Sequence, residues 1–432
     1  MMKKFILFPL ILLFCAFLFA EAKAEEVLTW EDCIIEAKKN HPDLISAVES
    51  LNQQRADKTI AASGLYPQID ANLDASTAGT STTSSTTGAT TKATADSYTY
   101  GVSGAQLIFD GFKTMNKMNA ASKNIQASQQ NYRFTSSGVR LNLRSAFINL
   151  LKAQELIKVA EEIVKIRRDS LELITLRYES GLEHKGALLT AEANMDEASF
   201  ELAQAKRDIG LAQRQMTKEM GRQEFKPMLV RADFTVRDTA RDKPDLEALA
   251  KNNPSLLQAF AKRNAAAFDI KSAYADFAPQ LSGSAGANKK SAHWPPENNN
   301  WNLGLSLTLP IFEGGLRLAQ VSKAQAAYNQ LAADERSIRD SVIVALEQYW
   351  AALQDAQETV EVQAKALTAA QERSKIAEAQ YSTGFITFDN WIIIENDLVS
   401  AKKAFLNSQA NALLAEAGWI QAKGETLEYA QK

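Results

Sequence analysis

Cysteine is almost missing: the 432 residues hold two, Cys15 and Cys33. Cys15 falls in an apolar stretch that reads as a cleaved leader. The mature chain then keeps Cys33 alone and has no internal disulfide, even in a compartment that permits one. Within Trp30-Glu31-Asp32-Cys33-Ile34-Ile35 the thiol reads as a small core residue. Histidine is as scarce: His41, His184 and His293 are far apart and no spacing suits zinc, so no metal site is expected. A glycine-rich phosphate loop and a Gly-x-Ser-x-Gly elbow are both missing. No catalytic residue and no cofactor are therefore expected, and an enzyme is disfavoured. The formal net charge is −3 and Lys and Arg are scattered. Nucleic acid would want a clustered basic face, so that partner is excluded. Beyond the leader, no segment approaches the roughly 20 nearly uncharged residues of a membrane helix.

What is present begins with that leader. Lys3 and Lys4 precede an apolar run from Phe5 to Ala20, and Ala22-Lys23-Ala24 gives a small-x-small cleavage pattern. Residues 1–24 are thus expected to direct secretion. Cys15 follows Phe14 rather than a small residue, which argues against a lipid-modified cysteine.

The chain is organised around Phe112–Tyr178, which contains no proline and a single glycine, Gly138. As one helix it would run about 100 Å at 1.5 Å per residue. Lys152, Glu155, Lys158, Glu161 and Glu162 make it too polar for lipid, so it predicts a long water-exposed helix packed along a seam. A second such stretch, Leu316–Tyr381, carries Ile338, Val342, Ala345, Tyr349, Ala352 and Ala356 at steps of three or four, continuing to Tyr381. That is a narrow coiled-coil seam, rich in alanine. Gly181 and Gly384 follow as left-handed helix stops, and return helices are expected over Ala187–Met220 and Asp389–Lys423.

These stretches are copies. Tyr178-Glu179-Ser180-Gly181 recurs 203 positions later as Tyr381-Ser382-Thr383-Gly384, and Ile108-Phe109-Asp110-Gly111 recurs at the same offset as Ile311-Phe312-Glu313-Gly314. Tyr66-Pro67-Gln68-Ile69 and Ala278-Pro279-Gln280-Leu281 match at an offset of 212, as do Pro42 and Pro254. The first repeat is placed at 25–221, a linker at 222–243, and the second repeat at 244–432. The linker is read as a small belt on the helices.

Each repeat also contains period-two alternation, which predicts strands at 65–74, 97–109, 279–288 and 301–310. In the last, Trp301, Leu303, Leu305, Leu307 and Leu309 alternate with Asn302, Gly304, Ser306 and Thr308. Strands of about ten residues with one apolar face suit a tilted membrane barrel. The Ser/Thr/Gly/Ala tract Ser76–Ala95 reads as a flexible loop, and Asn288–Asn300 as the matching one. Asn40–Asp43 breaks the helical region Val27–Ser63, with His41 as a breaker or surface residue.

Four strands cannot close a membrane barrel, whose smallest examples have about eight. An open edge in lipid leaves backbone groups unpaired at several kcal/mol each, so copies must join. The duplicated Asn-x-Pro-x-Leu (Asn40–Leu44, with Asn252–Leu256 as its partner), Tyr-Pro-Gln or Ala-Pro-Gln, Ile-Phe-Asp/Glu-Gly and Tyr-x-x-Gly motifs, in this order, resemble those of the TolC-like outer-membrane efflux proteins. The fold class is therefore mainly α with membrane β: an internally duplicated protomer of long coiled-coil helices plus four β-strands.

The resemblance implies a homotrimer with a twelve-stranded barrel in outer-membrane lipid and a periplasmic α-helical tunnel. It also implies an exit duct coupled, through a periplasmic adaptor (membrane fusion protein), to an inner-membrane pump or type I secretion system. The tunnel tips implied are Tyr178–Gly186 and Tyr381–Asp389. Some members of that family ring the tip with aspartates six and nine residues after the second-copy glycine; here Asn390 and Ile393 stand there, and Asp389 is one residue off. Tip candidates are therefore Tyr178, Gly181, Tyr381, Gly384, Phe385, Phe388, Asp389, Asn390 and Trp391. The aromatic ones either pack across the gate or within one protomer. The competing reading is a soluble periplasmic coiled-coil adaptor or scaffold.

Overall fold

A computed structural model describes residues 26–236 and 242–428. The expected leader lies outside the described residues. The chain opens with a short strand, β1 (Glu26–Leu28), and helices α1 (Trp30–Asn40) and α2 (Pro42–Ser63). Thr29 and Asp32 close a reciprocal capping box at the start of α1. His41 separates the two helices, its Nδ1 accepting the Asp43 N–H at 3.2 Å. It is a breaker, but a buried one beside Glu219, because the first turn of α2 docks against the end of a later helix.

Strands β2 (Gln68–Thr83) and β3 (Thr90–Phe109) form an antiparallel hairpin that leads into α3 (Lys113–Glu179), 67 residues long. The Asp110 carboxylate caps α3, accepting from the Thr114 N–H at 2.8 Å. The return helix α4 (Lys185–Glu219) has 35 residues. After β4 (Met228–Val230) and the short α5 (Leu246–Lys251), the plan repeats. Helix α6 (Pro254–Ala275), strands β5 (Gln280–Ser291) and β6 (Asn298–Thr308), α7 (Leu316–Ser382) and α8 (Phe388–Ala422) follow in order. The paired helices match in length: 22 residues for α2 and α6, 67 for α3 and α7, 35 for α4 and α8. Helix α3 is the spine, packing on α2, α4, α6 and α8. No helix among the described residues is long and apolar enough to cross a membrane.

The four strands make one sheet in the order β2-β3-β5-β6, antiparallel throughout and open at both edges. Residues opposite one another share a face. One row is Ile69, Gly104, Ala285 and Leu303, and the next on that face is Ala71, Val102, Ala287 and Trp301. The opposite face carries Asn72, Gly101, Asn288 and Asn300 in one row, and Asp70, Ser103, Gly286 and Asn302 in another. An apolar and a polar face thus cross the middle rows of the sheet. Leu303, Leu305 and Leu307 are 78%, 75% and 67% exposed in the single chain, an apolar strip of the kind that meets a membrane or another protein.

Two sequence expectations are corrected here. The Ser76–Ala95 tract is not a loop: β2 runs on to Thr83 and β3 begins at Thr90, leaving only 84–89 as the turn. The strands expected at 65–74 and 97–109 are thus parts of longer ones. Threonine has high strand propensity without any apolar alternation to advertise it, and Thr83 and Thr90 pair through their hydroxyls at 3.1 Å. The strands expected at 279–288 and 301–310 likewise shift to Gln280–Ser291 and Asn298–Thr308. The seam of α7 is the second correction. Midway along the helix the buried residues are Leu346, Trp350 and Leu353, not Ala345, Tyr349 and Ala352. There Trp350 meets Trp419 of α8 edge to face at 5.2 Å and the short α5 packs alongside, so the covered face rotates by one position.

The described part of the linker does wrap the helices. Strand β4 pairs in parallel with β1, and the Gln154 amide of α3 clamps Val230 through both its backbone groups at 2.9 and 3.0 Å. Beneath it, Cys33, Ile34, Phe147, Leu150, Met216 and Met228 form the largest core cluster. Cys33 is fully buried, and burial pushes its thiol up to about 12.

Candidate functional site

The candidate tip residues lie where each long helix turns back. Both turns have the same geometry. Gly181, at φ 72°, donates its N–H to the Tyr178 carbonyl at 3.0 Å, and Leu182 donates to the Arg177 carbonyl at 2.8 Å. Gly384, at φ 81°, donates to Tyr381 at 3.0 Å, and Phe385 to Gln380 at 2.8 Å. This is the six-to-one and five-to-two pairing of a Schellman cap, and a residue with a Cβ is strained at its left-handed position. His184 opens α4, its Nδ1 accepting the Ala187 N–H at 3.1 Å. Among the described residues no three His, Cys, Asp or Glu side chains gather as metal ligands.

The two turns are not independent. Tyr381, 1% exposed, sits at their junction and stacks on Trp391 with ring centroids 4.5 Å apart and planes 9° from parallel. Phe388 meets it edge-on at 6.5 Å. The Arg177 guanidinium lies 4.7 Å from the Tyr381 ring centroid, within cation–π range. The Tyr381 hydroxyl donates to Glu183 Oε2 at 2.7 Å, crossing from the second hairpin to the turn of the first. Arg177 donates back to the Tyr381 carbonyl at 3.3 Å. Burial first, and the neighbouring Glu183 carboxylate second, push the Tyr381 phenol well above its ordinary range, so it remains a donor at all physiological pH.

The expected tip residues therefore divide. Tyr381, Phe388 and Trp391 belong to one protomer's own core, packed with Ile174, Ala187, Ala191 and Ala377. Of the three aromatics considered for the gate, only Phe385 projects, at 83% exposed. Tyr178, Asp389 and Asn390 are also exposed, and Gly181 and Gly384 are structural stops.

Sequence reasoning missed the partners of Tyr381. Glu183 stood in view in the turn Glu183-His184-Lys185, but nothing in the spacing joins it to a residue 198 positions away. It also missed a buried ion pair higher on the helices. Arg167 of α3 donates from Nη1 to Glu395 Oε1 of α8 at 2.7 Å, and Ser170 donates to Glu395 Oε2 at 2.9 Å. Arg167 Nη2 also donates to the Asn396 side chain. The Glu395 and Arg167 side chains are 2% and 8% exposed. Burial raises the Glu395 carboxyl above its ordinary range, against the opposing pull of Arg167 and Ser170. Arg167 lies in charge-rich helix sequence that reads as solvated surface, and Glu395 directly follows the apolar run Trp391–Ile394, with nothing in either stretch to join the two.

Comparison with known proteins gives consistent matches. The profile of the family described as "Outer membrane efflux protein" matches residues 33–222 and 246–425. The outer membrane efflux protein BepC of Brucella suis biovar 1 is 23% identical over 412 residues, covering 94% of this chain and 86% of BepC. The outer membrane protein TolC of Escherichia coli strain K12 is 26% identical over 275 residues, covering 59% of this chain and 55% of TolC. The crystal structure of CusC, from work on its folding and transmembrane channel formation, has a TM-score of 0.79 at 19% identity and covers 91% of both chains. That likeness shows the shared fold.

Proposed function

This chain belongs to the outer membrane efflux protein family, and from that premise we propose that three copies close their open sheets into one twelve-stranded barrel continuing into a helical tunnel. As a family member the chain is an outer-membrane efflux channel, with its sheet in the outer membrane and its long helices in the periplasm. The soluble adaptor reading has no support beside this. The family is one of channels rather than enzymes, and no reaction is proposed for this member.

The observation that carries the trimer is the sheet itself: four strands, two unpaired edges, one apolar face and one polar face. In lipid each unpaired backbone group is costly, and only closure removes both edges. Three copies supply twelve strands, enough to leave a polar bore where eight would fill with side chains. At the other end the Tyr381–Glu183 contact joins the two hairpins of each protomer and holds the tunnel tip shut. An adaptor and an inner-membrane pump are the partners this tip would engage. In this reading the gate does without an aspartate ring, since Asn390 and Ile393 occupy those positions.

The test has two parts. The protein is expected to require detergent for extraction and to run as a heat-sensitive oligomer three chains in mass; a folded monomer that stays in water without amphiphile defeats the barrel. In planar bilayers Tyr381→Phe removes one hydrogen bond to a carboxylate, about 1.5–3 kcal/mol. Open-state occupancy should then rise about tenfold or more. Unchanged conductance would remove Tyr381 from the gate while leaving the barrel standing.

A further inference from the structure

The two hairpins meet chiefly where α3 packs on α8, and α4 lines α3 with small side chains. The buried residues of α4 in this region are Ala187, Ala191, Ala198 and Ala205, and α7 contributes Ala377. Alanine lets helices approach closely, and the contact between the hairpins also carries larger side chains, Ile163, Val164 and Ile174 of α3 and Val399 and Trp391 of α8. Closure of the tip depends on axial register. The Tyr381 hydroxyl reaches Glu183 across the two hairpins at 2.7 Å, and a slip of one residue, about 1.5 Å, would break that contact.

One layer of this wall is not apolar. Arg167 on the first hairpin and Glu395 on the second are both buried and joined at 2.7 Å. Arg167 also reaches Asn396, and Ser170 binds the second Glu395 oxygen at 2.9 Å. Above the pair lies the apolar layer of Ile163, Val164, Ala198 and Val399, and below it the Tyr381 cluster. A buried ion pair is a poor source of stability, because desolvation offsets the attraction; its best-attested use is to fix register. Here the guanidinium fork divides between two neighbouring residues of α8, Nη1 to Glu395 and Nη2 to Asn396, which favours the alignment seen.

We propose that Arg167 and Glu395 are positioning residues for the gate: they fix the register of the second hairpin on the first, and this register brings Tyr381 to Glu183. The inference rests on the tip being the gate. Stability and closure are then set by different residues, which gives the experiment its discrimination.

Three proteins are compared in planar bilayers and by the temperature at which the oligomer dissociates: wild type, Tyr381→Phe, and the double variant Arg167→Met with Glu395→Leu. Replacing both charges by apolar groups of similar volume leaves no stranded charge. The double variant should dissociate at or above the wild-type temperature and yet conduct at the level of Tyr381→Phe. A double variant as stable as wild type and just as closed would overturn the proposal, since the pair would then have no hold on the tip. Arg167→Lys keeps the charge but loses the fork, and should leak to an intermediate degree with the oligomer intact; wild-type closure in this variant counts against the proposal even if the double variant fails to assemble. If Tyr381→Phe itself stays as closed as wild type, the gate reading falls and the inference falls with it.

Discussion

Gly101 shows how a single residue joins the two halves of the molecule. It lies on β3 opposite Asn288 of β5, the seam where the strand pair of the first repeat meets that of the second. A β-carbon there would stand 2.4 Å from the Asn288 Cβ and 2.7 Å from the Ala287 carbonyl oxygen. Neither neighbour is the end of a flexible side chain, so the strands themselves must part. Overpacking of this kind costs about 1–3 kcal/mol, and in a closed barrel it is repeated in every copy. Gly101→Ala should therefore lower the oligomer's dissociation temperature and its assembled yield. Gly79, on β2, has nothing within 4 Å of its would-be Cβ, and Gly79→Ala should be neutral. Equal effects of the two substitutions would show that strand propensity, not the β3–β5 seam, sets the requirement. Gly101 and Gly304 stand at the same 203-residue offset as the repeated motifs, but that offset does not give the reason for glycine. That reason is a neighbour 187 positions away, set by strand order. The same holds at the tip, where Tyr381 was legible through its motif while Glu183, Arg177, Arg167 and Glu395 were not. Contacts between hairpins leave no periodic trace in either one.

At the scale of elements, what repeats was legible and what merely continues was not. The long helices were located to within about a residue, because a missing proline and a terminal glycine are both local signals. The strands were located by alternation, and their ends were lost where alternation stops in the Ser/Thr tract although the ladder does not. The seam of α7 slipped by one position where two tryptophans and an extra helix reset the covered face. The faces of the sheet can be read residue by residue. In β6, Asn300, Asn302 and Ser306 point to the polar side, and Trp301, Leu303 and Leu305 to the apolar side. Single cysteines placed along β6 in native membranes should react with a water-soluble maleimide at 300, 302 and 306 and be shielded at 301, 303 and 305. Cys33 should stay silent, being fully buried with its thiol pushed up to about 12. Uniform labelling along the strand would mean that neither face meets lipid.

The whole molecule divides into zones by length. A helix of 67 residues spans about 100 Å, and the strands β5 and β6, of 12 and 11 residues, suit a tilted crossing of the hydrocarbon layer. Strands β2 and β3 do not fit that layer, with 16 and 20 residues. The excess is all at one end. Strand β3 pairs with β5 only from Tyr98 onward, so Ser76–Ser97 stands above the rest of the sheet as a two-stranded arm with both edges free. At about 3.3 Å per residue the arm rises some 25 Å beyond the last shared row. Its composition suits water rather than lipid, since between Ser76 and Ser97 the side chains are Ser, Thr, Ala, Gly, one Lys and one Asp. At its base Tyr98, Tyr100 and Trp294 form an aromatic group with centroids 6.3 Å apart, at the level where a membrane interface would hold such rings. An interface at the foot of the arm predicts that the residues above it are dispensable to the barrel wall. Replacing 76–97 by an Asn-Gly turn, which matches the twist of a hairpin, should leave the heat-sensitive oligomer and its conductance unchanged. Loss of assembly in that variant would place the arm within the closing contacts, and the barrel would then have to be built from strands far longer than the bilayer requires.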